Sequence, residues 1–116
     1  VLNQLPNPSS PVWRSRDAIR RDLQDFLLAP GTGEPELWAW VGAYDHVVLA
    51  QLWGDMTRLP RKMPRYTREL RQYWEMAGSP ALPRQDDGRH DALADARHNL
   101  VRFRAIAARM PLRQSR

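Results

Sequence analysis

ELWAWVGAYDHVVLAQLW occupies residues 36–53. Leu37, Trp38, Ala39, Trp40 and Val41 are apolar at every position, so both alternating faces of an extended Glu36–Val41 segment are apolar. A short run of that kind reads as a strand covered on both sides, the setting of a central strand between helices. Gly42 and Ala43 form a tight exit, and Tyr44 to Trp53 turns to a helical pattern with Val48 and Leu52 facing in. Strand followed at once by helix predicts an α/β fold with one recognisable central strand. Such a strand needs neighbours for its backbone donors and acceptors. Nothing else in the sequence reads as a convincing strand. The partner strands are therefore expected upstream of Val1, and the domain to be N-terminally incomplete and mostly helical.

Outward from this block the chain reads as helices and loops. Residues 1–12 are rich in Pro, Asn and Ser and read as an arm or linker. Ser15 can cap a helix over 16–29, with Asp17 in its first turn and Ile19, Leu23, Phe26 and Leu27 on one stripe. Pro30-Gly31-Thr32-Gly33 ends it. Residues 54–64 read as a loop holding at most a turn of helix. Thr67 can cap a helix over 68–77, with Leu70, Tyr73 and Trp74 on one side. After a loop over 78–88, a last helix is predicted from Asp91 to Arg109. Its apolar stripe is Leu93, Ala96, Leu100, Phe103, Ala107 and Met110. Residues 13–110 thus read as one domain portion and 111–116 as a tail.

Composition excludes several classes. The chain has 116 residues and no cysteine, which rules out a disulfide scaffold, a thiolate metal site and a cysteine nucleophile. No apolar run is long enough to cross a bilayer. Val1 opens no charged leader with a long apolar stretch, so a cytoplasmic location and no membrane partner are expected. Lys and Arg number 18 against 13 Asp and Glu, a net charge of +5, and Lys62 is the only lysine. Arginine forks suit phosphate, so a nucleic acid is a partner to test; an Arg-rich solvated surface has the same composition.

Two places can carry chemistry. Asp45 follows the strand directly, where open α/β sheets bind ligands beside helix N-termini. A carboxylate there also suits the helix start itself. The second place is His90-Asp91-Ala92-Leu93-Ala94-Asp95-Ala96. Asp91 and Asp95 share nearly one helix face, and like charges so placed repel. On a continuous helix His90 and Asp95 would diverge by about 140°. They can meet only if His90 lies in the loop before the helix, as Asp86-Asp87-Gly88-Arg89 allows. That arrangement sets a general base beside a metal ligand. A solvated helix start with an incidental His has the same sequence. The small residues Ala92, Ala94 and Ala96 let another element approach Asp95 closely.

With these motifs in place, a resemblance appears. His-x-x-x-x-Asp in HDALADA, preceded by a strand and Tyr-Asp in WVGAYDH, resembles the DEDDh 3′–5′ exonucleases. These are RNase T- and DnaQ-like nucleases of ribonuclease H-like fold. The blocks ELWAWVGAYDHVVLAQLWGDMTRLP, PRYTRELRQYWE and RHDALADARHNLVRFR are most similar to the mycobacterial, polyadenylate-specific RNase AS type. The resemblance runs from Trp13 to Phe103. It implies a 3′–5′ exoribonuclease in which four carboxylates hold two Mg²⁺ or Mn²⁺ ions about 3.5–4 Å apart. It further implies Asp45 and Asp95 as metal ligands and His90 as the general base. Tyr44, His46 and Arg89 follow as substrate contacts, with Tyr44 packing beside the site. RNA 3′ ends, among them poly(A), are the implied substrate, and a homodimer the implied assembly.

Two features depart from that pattern. No Asp-x-Glu occurs in the 116 residues, so two of the four carboxylates are not found here. Many members place Asn five residues before the second-motif Asp, where this chain has Trp40. The 116 residues by themselves are therefore expected to be inactive. The competing reading is a non-catalytic RNA-binding or degenerate nuclease-fold module. The five Trp, at 13, 38, 40, 53 and 74, are expected mostly in packing, His98 at the surface, and Asp86-Asp87 in a turn.

Overall fold

A computed structural model describes residues 5–31, 33–86, 88 and 90–113. The order of elements is α1 (Arg16–Leu27), β1 (Leu37–Ala39), α2 (Ala43–Gln51), a 3₁₀ turn (Met56–Arg58), β2 (Thr67–Glu69), α3 (Leu70–Met76) and α4 (Ala92–Arg109). β1 and β2 pair in a two-stranded parallel sheet, with α2 in the crossover. The α/β class and the helical majority agree with expectation.

The chain divides into two compact units. One comprises Ala39–Val41 and the residues from Glu69 onward. Its core forms where α3 packs on α4. Leu70 and Ile106 are wholly inaccessible there, and Tyr73 is buried with them. The Tyr73 ring lies 5.9 Å from that of Phe103, and its hydroxyl donates to the Met110 carbonyl at the end of α4. Burial pushes the Tyr73 phenol above its usual pKa. Trp40 and Trp74 meet at 5.7 Å, and the Trp74 indole N–H donates to the Pro80 carbonyl at 2.7 Å.

The other unit comprises Leu5–Trp38 and Gly42–Arg68. Ala50, Leu59 and Met63 form its buried centre. The Arg65 guanidinium donates to the carbonyls of Met56 and Leu59 at 3.1 and 3.4 Å, tying down the 3₁₀ turn. Asp55 caps that turn. Hydrogen bonds from the Thr57 hydroxyl and amide hold its carboxyl below the usual range. Ser15 caps α1 as predicted, its hydroxyl accepting the Ala18 amide at 3.1 Å.

Several expectations need correction. A second strand exists: Thr67–Glu69 is β2, and α3 begins at Leu70 rather than following a Thr67 cap. Three polar residues carry no alternating pattern, so backbone pairing with β1, not side-chain periodicity, makes this strand. β1 is shorter than predicted because Val41 adopts φ +53° in a turn, which ends the extended run. All three β1 residues are half-buried rather than covered. In α1 no residue is buried, and Phe26 of the expected stripe is 78% exposed. In α2 the buried residue is Ala50, while Val48 is exposed. The stripe of α4 fails in its first half, since Leu93 and Leu100 are exposed. His98, expected at the surface, is buried instead with Ile106. The face of α4 that packs is chosen by α3, whose position the sequence pattern does not contain.

Leu70→Ala is expected to cost about 2–5 kcal/mol, since it empties a fully enclosed site. Tyr73→Phe should cost about 0.5–1.5 kcal/mol through the lost bond to Met110. Both are read as shifts in the urea midpoint at constant slope. A Leu70→Ala midpoint equal to that of the parent protein contradicts this core.

Candidate active site

The start of α4 is built from three consecutive constraints. Asp91 is the N-cap, and its carboxylate accepts the Ala94 amide at 3.0 Å. Before it, the Gly88 carbonyl accepts the Asp91 amide at 2.8 Å. Gly88 has φ +73°, and a Cβ placed there would stand 2.6 Å from the Ala94 Cβ. Glycine is needed at 88 both for its backbone angle and for the close approach. The small side chain of Ala94 is thus the surface on which the loop closes, as the alanine run around Asp95 suggested.

This loop presents His90. Its φ is +70°, a left-handed conformation that few non-glycine residues adopt. In that conformation the His90 amide donates to Asp95 Oδ2 at 3.2 Å. Gln85 Nε2 donates to Asp95 Oδ1 at 2.8 Å. So the loop His and the first-turn Asp do meet, as a His90 in the loop before the helix allows. They meet through the main chain of His90, and His90 is exposed. Asp95 is half-buried and engages two neutral donors, but among the described residues it has no cationic partner. The repulsion foreseen between Asp91 and Asp95 is relieved because each carboxylate faces its own donors. The N-terminal end of the helix dipole favours both.

Asp45 lies in the other unit, in the first turn of α2. Gly42 is the N-cap there and makes no side-chain cap. Asp45 is exposed, and among the described residues its carboxylate makes no hydrogen bond or ion pair. Capping, its bland role, is thus not what the carboxylate does. Tyr44, expected to pack beside the site, is 84% exposed. His46 points inward: its Nδ1 and Thr67 Oγ1 share a hydrogen bond of 2.9 Å, and its buried Nε2 has no partner. Its ring therefore braces α2 against β2. Arg89, the remaining expected contact, lies outside the described residues.

The donor types suit a hard divalent cation. Asp45 and Asp95 offer carboxylate oxygens, the ligands that Mg²⁺ and Mn²⁺ take, and neither charge is neutralised by a protein cation among the described residues. No group of three His, Asp or Glu side chains forms a ligand set among the described residues. The chain thus supplies carboxylates of the right kind, fewer than the resemblance implies for two ions.

Two features were not read from sequence. Gln85 holds Asp95 from ten residues upstream, and no spacing rule marks a loop Gln for that task. Beside it lies a cavity of about 390 Å³ whose lining includes Trp40, Trp74, Arg84, Gln85 and Arg102. The Arg102 guanidinium stands over the Trp40 ring, 4.5 Å from its centroid. These residues come from four separate stretches of chain, so only folding assembles them.

Residues 3–107 match the family described as the 3′–5′ exoribonuclease Rv2179c-like domain. The chain is 59% identical over 108 residues to the 3′–5′ exoribonuclease Rv2179c of Mycobacterium tuberculosis strain H37Rv. It is equally similar to the 3′–5′ exoribonuclease MT2234.1 of the CDC 1551 strain. Each alignment covers 93% of this chain and 64% of the relative, so the chain spans somewhat under two thirds of the curated relatives it matches. No helix among the described residues is long and apolar enough to cross a membrane.

Gly88→Ala should open the loop before α4, because the new methyl group meets Ala94 and the backbone angle is strained. Amide exchange at His90 is expected to lose its protection, while exchange at Leu70 stays slow. Asp91→Ala should cost about 0.5–2 kcal/mol and Asp91→Asn markedly less, since Asn also caps. Equal thermal melts for those two variants would show that the cap is not used.

Proposed function

The chain belongs to the 3′–5′ exoribonuclease Rv2179c-like domain family, and from that premise we propose that the protein hydrolyses the terminal phosphodiester at RNA 3′ ends. The observation that carries the proposal is the juxtaposition at the start of α4. Asp95 is held by Gln85 and by the His90 amide, and His90 is exposed. This contact brings the residue proposed as base to the carboxylate proposed as metal ligand. The DEDDh assignment and the ribonuclease H-like fold are part of this proposal.

In the proposed reaction Asp95 and Asp45 would each offer carboxylate oxygens to divalent ions, Mg²⁺ or Mn²⁺. The ions, when bound, supply water activation and stabilisation of charge on the scissile phosphate. The His90 imidazole takes the proton of the attacking water. The Gly88 turn and the Asp91 cap keep His90 in the left-handed conformation in which its amide meets Asp95. Gln85 orients the Asp95 carboxylate without cancelling its charge, leaving it free to attract cations. No Asp-x-Glu occurs in the 116 residues, so these residues account for two of the four carboxylates that the resemblance implies. Adenylate preference, a homodimer and a cytoplasmic location complete the proposal, on the RNase AS-type resemblance.

The test is trimming of 5′-labelled oligo(A), followed on sequencing gels, in the intact protein. His90→Ala should lower the rate by about 10²–10⁴-fold with a modest loss of RNA binding. Asp45→Asn and Asp95→Asn should abolish both turnover and Mg²⁺ binding. Unchanged Mg²⁺-dependent trimming in these variants refutes the assignment. The isolated 116-residue polypeptide should trim oligo(A) negligibly; efficient trimming by it would overturn the carboxylate count. Oligo(A) should be shortened faster than oligo(C) of equal length if adenylate is preferred.

A further inference from the structure

We propose that the cavity lined by Trp40, Trp74, Arg84 and Arg102 is a nucleotide seat, which takes one nucleoside 5′-monophosphate unit of the RNA by stacking its base and pairing its phosphate. The inference rests on the exoribonuclease reading above, and it assigns new residues to substrate contact.

Size comes first. At about 390 Å³ the cavity has room for a nucleotide, within the range of about 300–1,000 Å³ usual for small-molecule sites. Its chemistry is next. Two indoles meet in it at 50°, presenting π-surface, and the Trp74 ring is fixed by its bond to the Pro80 carbonyl. A fixed indole loses little entropy when a base stacks on it. Two guanidinium groups line the same cavity. Arg84 is exposed, and among the described residues it forms no hydrogen bond or ion pair. Arg102 is bound to Asn99 Oδ1 at 3.2 Å and lies over Trp40, and among the described residues it faces no carboxylate. Arginines left without acidic partners beside aromatic surface attract phosphate while the rings attract the base. The four ion pairs of the described residues all involve other arginines.

Position supplies the last step. Gln85 lines this cavity and also holds Asp95 at 2.8 Å. A nucleotide in the seat is therefore one side chain away from the carboxylate assigned to the reaction. It contacts Gln85 directly, so seat occupancy and the orientation of Asp95 are coupled.

The test follows the indole N–H signals of the ¹⁵N-labelled intact protein in EDTA, where no turnover occurs. Titration with adenosine 5′-monophosphate should move the Trp40 and Trp74 signals and leave Trp13 unmoved. Adenosine without phosphate should bind more weakly, and a trinucleotide of adenylate should move the same signals at lower concentration if the RNA is the natural occupant. Stronger binding by the free nucleotide than by the trinucleotide would instead make the seat a product site and overturn its assignment to RNA. Arg84→Gln, a change at an exposed position, should weaken nucleotide binding about tenfold. Trp74→Leu should do so by a similar factor, with far-ultraviolet circular dichroism confirming the fold. Unmoved Trp40 and Trp74 signals at millimolar nucleotide, or unchanged affinity in Arg84→Gln, overturn the proposal. Because the readout needs neither metal nor cleavage, a protein that trims RNA but shows no such binding refutes the seat alone. One that binds but does not trim refutes the reaction alone.

Discussion

The 2.6 Å that would separate a Gly88 Cβ from the Ala94 Cβ fixes the entry to α4. Only a residue without a side chain passes there, and only a small one can stand opposite. Once the loop lies on Ala94, the Gly88 carbonyl reaches the Asp91 amide, and Asp91 is set to cap the helix. His90 is then caught between two fixed neighbours and takes up a left-handed angle that it would not choose alone. Its amide falls on Asp95 as a consequence. One steric contact therefore organises a cap, a strained residue and a carboxylate.

Four carboxylates form ion pairs with arginines among the described residues. Asp22, Asp17, Glu36 and Glu75 each take one. Asp45 and Asp95 do not, among the described residues. Asp95 is instead oriented by a glutamine amide and a backbone amide, donors that hold a carboxylate without discharging it. Arg84 and Arg102 gather a few residues away, around the Trp40–Trp74 cavity. Cations beside the carboxylate, but not on it, are what the proposed reaction would need.

Much of the local plan was legible in the residues. The Ser15 cap, the position of α4 and the need for a looped His90 all follow from short-range rules: capping chemistry, turn residues and the 100° step of the helix. The strand at Leu37–Ala39 was legible because an unbroken apolar run has few other uses. β2 was not, because Thr67–Glu69 has no pattern of its own and is a strand only through its neighbour. His98 was misplaced for a related reason. Its burial depends on which face of α4 meets α3, and Leu93 and Leu100 gave a misleading stripe.

The sequence by itself determined the α/β class, the starts of α1 and α4, the absence of thiol chemistry and the condition under which His90 can meet Asp95. Those depend on spacing within one turn or one loop, where covalent geometry leaves few choices. Tertiary structure alone decided that Gln85 orients Asp95, that His46 bonds to Thr67, and that Trp40, Trp74, Arg84 and Arg102 line a common cavity. Such contacts join residues ten or more positions apart. They are set by the packing of whole elements, a quantity that no local pattern encodes.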